Sequence, residues 1–327
     1  MRAVLATTPG GPEVLAVQEL PPPTAAPGRV VVAVEAAGVN FVDTYRREGR
    51  YPMPFPHVVG SEGAGRVLEV GAGVTGVRAG DRVGWVSGSD GSYAELAVVD
   101  ADALVPLPDA VPADVAAAVL LQGMTAQYLV ASTFPVAAGH QVLVHAGAGG
   151  TGLLLTQLAA ARGGRVLTTV STAQKEELSR DAGAAEVIRY DALADLTAEL
   201  PPLVRGLTDG GAHTVFDGVG RTTFDASLAS LRPRGGLALF GASSGPVPPV
   251  DPLRLMTAGS VFLARPFLAH HIADRAELLG RAGEVLGRVA DGGLRVRVGE
   301  RFPLSEAADA HRALEGRRTT GKVLLLP

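Results

Sequence analysis

QVLVHAGAGGTG (Gln141–Gly152), followed by LLLTQLAAAR (Leu153–Arg162), is the stretch whose reading decides the fold. A short apolar run predicts a buried strand, the glycines predict a tight loop, and the apolar run after them predicts a helix. Gly147, Gly149 and Gly152 form G-x-G-x-x-G between strand and helix. In such a loop the first glycine permits the turn, the second lets backbone approach a pyrophosphate, and the third lets helix pack on strand. The helix N-terminus, from Gly150 and Thr151 onward, then offers free N–H groups and a positive dipole end to phosphate. A dinucleotide-binding unit is expected.

Outward from this loop the pattern repeats. Strands are expected at Arg165–Val170, Glu186–Tyr190, His213–Phe216 and Gly236–Phe240, with helical stretches between them, one starting at Thr172. Strands alternating with helices imply βαβ units and a parallel sheet. Residues 1–123 read differently. Arg29–Ala37, Gly65–Val70 and Asp81–Val86 are short strands bounded by glycine turns, as in a barrel or sandwich, and Pro112–Leu121 turns helical. Near the C-terminus, a helix over Ala273–Ala290, a strand at Leu294–Val298, a helix over Glu306–Glu315 and a strand at Gly321–Leu326 are too little to fold alone. They are expected to complete the first zone. The fold class is therefore α/β, with residues 1–123 plus 267–327 as one domain and 124–266 as the other.

Composition narrows the function. The 327 residues carry a net charge of -4 and no Cys. Without Cys there is no disulfide, no thiol nucleophile and no Cys-ligated zinc. A slightly acidic chain without a basic cluster is a poor nucleic-acid binder. With 42 Gly and 23 Pro, about a fifth of the chain, it stays below the roughly 25–30% of low-complexity sequences. The apolar runs Val115–Leu121 and Gly152–Ala161 are shorter than the ~18 residues of a membrane span. With no targeting segment apparent, a cytoplasmic location is expected.

The end of the second strand speaks to the cofactor. An NAD site wants an acid about 20 residues beyond the glycines, to hold the ribose 2′-OH. The sequence there is Ser171-Thr172-Ala173-Gln174-Lys175, two hydroxyls and a lysine. Ser171, Thr172 and Lys175 suit a 2′-phosphate, which favours NADPH. Thr172 also suits the N-cap of the following helix, with Lys175 a solvated first-turn residue.

The chain resembles the zinc-independent medium-chain dehydrogenases/reductases of the quinone oxidoreductase (zeta-crystallin-like) group. The resemblance runs through GGPEVL (Gly10–Leu15), GVNFVDTYRREGRYP (Gly38–Pro52), GSEGAGRVLEVGAGV (Gly60–Val74), HAGAGGTG (His145–Gly152), FDGVG (Phe216–Gly220), FGASSG (Phe240–Gly245) and TTGKVLLLP (Thr319–Pro327). It implies a GroES-like β domain from both chain ends, a Rossmann domain inserted between them, an active-site cleft at their junction and a homodimer, with Ser260–Ala264 a candidate edge strand. Zinc-dependent relatives carry Cys at the position of Asn40 and Gly-His-Glu where this chain reads Gly60-Ser61-Glu62, so no metal is expected.

The resemblance also implies roles. Asn40, Tyr45 and Tyr51 are the catalytic candidates. Asn40 donates to the acceptor carbonyl or positions the cofactor, unless it only caps a helix beginning at Phe41. The tyrosines donate a hydrogen bond or stack on a flat acceptor, unless they only pack their loop. Asp43 braces the loop and faces the site, and Thr125 contacts the nicotinamide. Tyr190, Phe240, Gly241, Ser243, Arg265 and Arg317 fall at cofactor positions, and Lys322 is a weaker match. Gln122 stands where relatives often carry Lys, and Ala242 where they carry Asn. The expected reaction is hydride transfer from NADPH to a quinone. The alternatives are an enone or 2-enoyl reductase, or a non-catalytic cofactor-binding protein with a structural or RNA-binding role.

Overall fold

The structure is a computed structural model and describes residues 1–89 and 91–327. It divides into two compact units, Met1–Met124 with Ile272–Pro327, and Thr125–His271.

The first unit opens with β1 (Arg2–Ala6), β2 (Leu15–Glu19), β3 (Arg29–Val39), α1 (Phe41–Arg47), β4 (His57–Val58), β5 (Glu62–Val70), β6 (Arg82–Trp85), β7 (Leu96–Asp100) and β8 (Val105–Pro106). Valines and alanines along β3 put eight of its eleven residues out of contact with water. Its length lets it serve three partners. It pairs antiparallel with β5 along most of its course and with β7 over Arg29–Ala33. Its Ala37–Val39 end pairs with the last strand of the chain. Trp85, Tyr93, Val67 and Val99 fill the core.

α2 (Ala113–Tyr128) runs further than Pro112–Leu121 and continues through a π-helical turn to Thr133. This corrects the expectation that no run is long enough for a membrane span. Ala113–Thr133 is 21 residues with mean hydropathy 1.4, yet 78% of its apolar window is buried inside the protein. A segment so enclosed by protein is a core helix, and its apolar character is used in packing.

The second unit contains β9 (Gln141–Val144), α3 (Gly150–Ala161), β10 (Arg165–Val170), α4 (Ala173–Asp181), β11 (Glu186–Arg189), α5 (Leu196–Thr208), β12 (Ala212–Asp217), α6 (Phe224–Ala229), β13 (Leu231–Leu239), α7 (Leu253–Thr257) and β14 (Phe262–Ala264). The strands order as β11-β10-β9-β12-β13-β14, and every pairing is parallel. Numbered within the unit, that is 3-2-1-4-5-6, the Rossmann order, whose reversal between β9 and β12 opens a ligand crevice at the strand carboxyl ends. β14 is an edge strand and leaves Phe262 exposed.

The chain then returns to the first unit with α8 (Arg275–Ala290), β15 (Val298–Pro303), α9 (Ala307–Glu315) and β16 (Lys322–Leu326). Asp274 caps α8 through the Glu277 N–H, and Leu278, Ala282, Val285 and Leu286 form its buried stripe. The strand expected at Leu294–Val298 lies later, at Val298–Pro303, parallel to β16. Leu294 is instead buried behind α8, its N–H bonded to the Arg288 carbonyl, so its apolar character closes a helix end.

Candidate active site

In the second unit five of the six parallel strands hand over to an expected cofactor residue at their carboxyl ends. The glycine loop follows β9, Ser171 and Thr172 follow β10, and Tyr190 follows β11. Phe240, Gly241 and Ser243 follow β13, and Arg265 follows β14. Because all six strands run the same way, these positions share one edge of the sheet. Thr125, on α2, is buried.

The three glycines of the loop have different reasons to be glycine. The turn itself is made by Ala146, at φ 55, and not by Gly147. A Cβ on Gly147 would lie 2.6 Å from Thr168 Cβ and 2.7 Å from Ser179 Oγ, so Gly147 serves the close approach of the loop to β10 and α4. This corrects the turn role expected of it. A Cβ on Gly152 would fall 2.2 Å from the Ala146 carbonyl oxygen, which demands glycine for helix packing. Gly149 differs, since its Cβ would meet only that same oxygen, at 3.3 Å. Protein packing therefore demands glycine less at 149 than at 147 or 152.

Thr172 caps α4, its hydroxyl accepting from the Lys175 N–H at 3.2 Å, while Lys175 Nζ lies 3.4 Å from Ser171 Oγ. The cap and a clustered lysine and hydroxyl therefore coexist. Beneath the loop lies a buried set that the sequence reading passed over. His145 shares hydrogen bonds with Thr169 Oγ1 and Ser227 Oγ, both at 2.9 Å. Ser227 and Thr223 donate to Asp217, which also accepts the N–H groups of Val219 and Gly220. Burial holds the His145 imidazole below its usual pKa. The signal for it lay in the quoted motifs, where His145 precedes the glycines and Asp217 sits inside FDGVG.

In the first unit, Asn40 occupies the N-cap position of α1, in a capping box with Asp43, and its side-chain amide is also tied to other elements. Asn40 Nδ2 donates to the Gly38 carbonyl at 3.0 Å and to Glu62 Oε2 at 3.1 Å. Asn40 Oδ1 accepts from Gln122 Nε2 at 2.6 Å and from Lys322 Nζ at 2.8 Å. Asp43 braces the turn, its carboxylate accepting the Asn40 N–H at 3.0 Å and the Ser61 and Tyr93 hydroxyls at 2.5 and 3.1 Å. Burial raises the Asp43 pKa, against the opposing pull of Ser61 and Arg46. His311 Nε2 lies 3.2 Å from the Tyr93 hydroxyl, and its Nδ1 accepts from fully buried Arg47 at 2.9 Å. Arg47 is paired in turn with Glu315 at 2.7 Å. Desolvation, with the Arg47 charge adding to it, takes the His311 pKa down to about 3. Tyr45 and Tyr51 pack edge to face, centroids 5.7 Å apart, and the Arg50 guanidinium lies over the Tyr45 ring. Arg317 is exposed, at φ 55.

Two family models match the chain. The first is the alcohol dehydrogenase GroES-like domain over residues 26–109, and the second a zinc-binding dehydrogenase over residues 182–325. A quinone oxidoreductase of Pseudomonas aeruginosa is 42% identical over 97% of both chains. The chain belongs to the quinone oxidoreductase family of medium-chain dehydrogenases/reductases. A 2-haloacrylate reductase of a Burkholderia species is 38% identical over 97% of this chain and 96% of its own. The solved structure of mycobacterial Rv1454c complexed with NADPH is 50% identical over the whole of both chains, with a TM-score of 0.96.

The second family model raises the question of zinc, and the donors present do not fit it. Glu62 is paired with the Lys322 ammonium at 2.5 Å, Asn40 Oδ1 already accepts two hydrogen bonds, and Ser61 Oγ is held between Arg46 and Asp43. An ammonium already stands where a metal would need those oxygens.

Proposed function

We propose that this family member is an NADPH-dependent reductase that delivers hydride to a quinone. The observation that carries the reading is the strand-end convergence on an all-parallel Rossmann sheet. The glycine loop and Ser171–Lys175 follow neighbouring strands at one edge, and the absence of an acid among residues 171–175 supports a 2′-phosphate there. NADPH supplies the hydride when bound. The N-terminus of α3 and Gly149 hold its pyrophosphate, Ser171, Thr172 and Lys175 take the 2′-phosphate, and Tyr190 lies beside them. Phe240, Gly241, Ser243, Thr125, Arg265 and Arg317 complete the cofactor set. Tyr45 and Tyr51 present a rigid aromatic pair to a flat acceptor, and solvent or a tyrosine hydroxyl delivers the proton. Asp43 sets the geometry of the loop that carries them.

The likeness to a 2-haloacrylate reductase supports a second reading, reduction of an activated alkene. The same cofactor site serves either acceptor. The deciding experiment follows NADPH oxidation, with NADH in parallel, across 1,4-quinones and enones with and without EDTA. Quinone turnover that prefers NADPH and ignores EDTA supports the first reading. Turnover restricted to enones moves the chain to the second. A preference for NADH, or sensitivity to EDTA, overturns the cofactor or metal argument. We further read the chain as a cytoplasmic homodimer paired through β14, on the exposed Phe262 at the edge of the sheet. Light scattering tests this, with Phe262→Glu expected to give monomers.

A further inference from the structure

We propose that Lys322, from the last strand, is the positioning residue of the Asn40 loop: a buried ammonium that locks the Asn40 amide and joins β3, β5 and α2 at one point. Lys322 and Glu62 are both sealed from water, and Asn40 and Gln122 nearly so. Lys322 Nζ donates to Glu62 Oε2 at 2.5 Å, to Asn40 Oδ1 at 2.8 Å and to Gln122 Oε1 at 2.8 Å. An ammonium has three protons, and these three acceptors use them all. The other oxygen of Glu62 accepts the Leu121 N–H at 2.7 Å, which anchors the cluster to α2.

The consequence falls on Asn40. A primary amide has two N–H donors and two acceptor lone pairs. Gly38, Glu62, Gln122 and Lys322 occupy all four. Asn40 has nothing left to offer a substrate carbonyl, so it acts through the place it gives to the start of α1. A second observation shows that the backbone is cut to this lysine. A Cβ at Gly38 would meet Glu62 Oε2 at 2.4 Å, the Ala117 carbonyl at 2.5 Å and Lys322 Cε at 2.7 Å. Gly38 on β3 is thus the gap through which the lysine stem reaches its acceptors. Buried ion pairs contribute little net stability against apolar replacements of similar shape, so geometric specificity is the better account of this one.

The inference rests on the reductase reading, and the test separates the two. Lys322→Met alone leaves Glu62 buried and unpaired, so the informative variant is Lys322→Met with Glu62→Gln, which removes both charges. A third protein adds Gln122→Lys to Lys322→Met. Gln122 Oε1 lies 2.8 Å from Lys322 Nζ, so a lysine at 122 returns an ammonium near the same point. With NADPH and 1,4-benzoquinone, the neutral double variant is expected to lose about 30-fold in kcat, in the range that small misplacements of a loop cost. Its NADPH affinity, read by cofactor fluorescence, stays within about twofold, because the glycine-loop contacts are untouched. The Gln122→Lys rescue recovers most of the kcat. A folded neutral variant with wild-type kcat, or a folded rescue protein without recovery, overturns the proposal. If the wild-type protein reduces no quinone or enone, the reductase reading fails, and the lock is judged by proton exchange of the Asn40 side-chain amide. Slow exchange that becomes fast in the neutral variant supports it, and equal exchange refutes it.

Discussion

The glycine loop of the second unit and the Asn40 cluster of the first do comparable work in opposite ways. The loop is eight consecutive residues, His145–Gly152, and what it offers a ligand is backbone: N–H groups, a helix end and the absence of side chains. The cluster is four side chains at positions 40, 62, 122 and 322, and the bond from Lys322 to Asn40 spans 282 residues of sequence. Backbone recognition is written locally. Side-chain recognition of this kind exists only after the first and last thirds of the chain have folded together. The loop should therefore break by steric insult at one residue, and the cluster by a change of charge at any of four.

The largest effect is expected at Gly152. Gly152→Val places a Cβ 2.2 Å from the Ala146 carbonyl oxygen, and Ala146 already holds a left-handed conformation that leaves little room to yield. A backbone clash of this kind should cost about 4 kcal/mol or more. Calorimetry should show the second unit melting early, and NADPH binding should vanish in a fluorescence titration. Wild-type affinity in this variant would mean that the helix does not pack through Gly152.

The two regions also differ in how much of them can be read before folding. Strand–glycine–helix order and five of the six parallel strands follow from local apolar runs and glycine spacing, because a βαβ unit places each loop by rule, whereas the edge strand and the residues from Tyr190 onward at the strand ends come from the family resemblance. Within the loop, the division of labour among glycines was not legible. Nothing in the letters shows that Ala146 takes the turn and that Gly147 is held against Thr168 and Ser179. In the first unit Asn40, Asp43 and Tyr45 stand out in sequence, but the direction of the Asn40 side chain does not. Its partners arrive from three other elements, and its N-cap position suggested a simpler use. His311, Arg47 and Tyr93 gave no signal at all. Their importance is burial, which depends on α9 closing over the sheet.

His311 supplies the next effect, and it is set by pH. Its folded pKa is about 3, against an ordinary value of 6.5, because protonation would put charge into a desolvated site facing Arg47. Between those values the unfolded chain binds more protons at this residue than the folded chain does. Stability is therefore full above about pH 6.5 and falls as pH drops toward 3. The two values correspond to about 4–5 kcal/mol over the whole window, of which about half falls between pH 7 and 4.5. Asp43 and Glu62, whose pKa values are raised by burial, contribute with the opposite sign. The measurement is the difference between wild type and His311→Gln in urea melts at both pH values. A parallel fall in the two proteins would show that His311 is not the group responsible.

Asn40→Asp tests the cluster by charge and hydrogen bonding at nearly constant shape. The substitution replaces the Nδ2 donor facing Glu62 at 3.1 Å with an oxygen, and strands the Gly38 carbonyl without its partner. Two buried carboxylates then share one ammonium, and one of them must take up a proton. A loss of roughly 3 kcal/mol at pH 8 is expected, shrinking toward pH 5 as the extra proton becomes available. A loss independent of pH would mean that shape, and not charge, governs the cluster.

The smallest effect should come from Lys175, and it sharpens the contrast from the side of the loop. Its ammonium sits 3.4 Å from Ser171 Oγ at the start of α4, while its backbone N–H keeps the Thr172 cap whatever the side chain is. Lys175→Ala should therefore leave the helix and the melting temperature nearly unchanged. On the proposed role, a charge-assisted contact to a 2′-phosphate would be worth about 1.5 kcal/mol, or roughly tenfold in NADPH affinity. NADH, which has no such phosphate, should bind as before. Equal losses for both cofactors would relocate the lysine to the pyrophosphate, and no loss for either would make it a solvated first-turn residue. A selective tenfold loss would show that the second unit separates its two tasks by atom. Backbone there holds what all dinucleotides share and one side chain chooses between them, whereas the Asn40 cluster has no atom to spare for choosing.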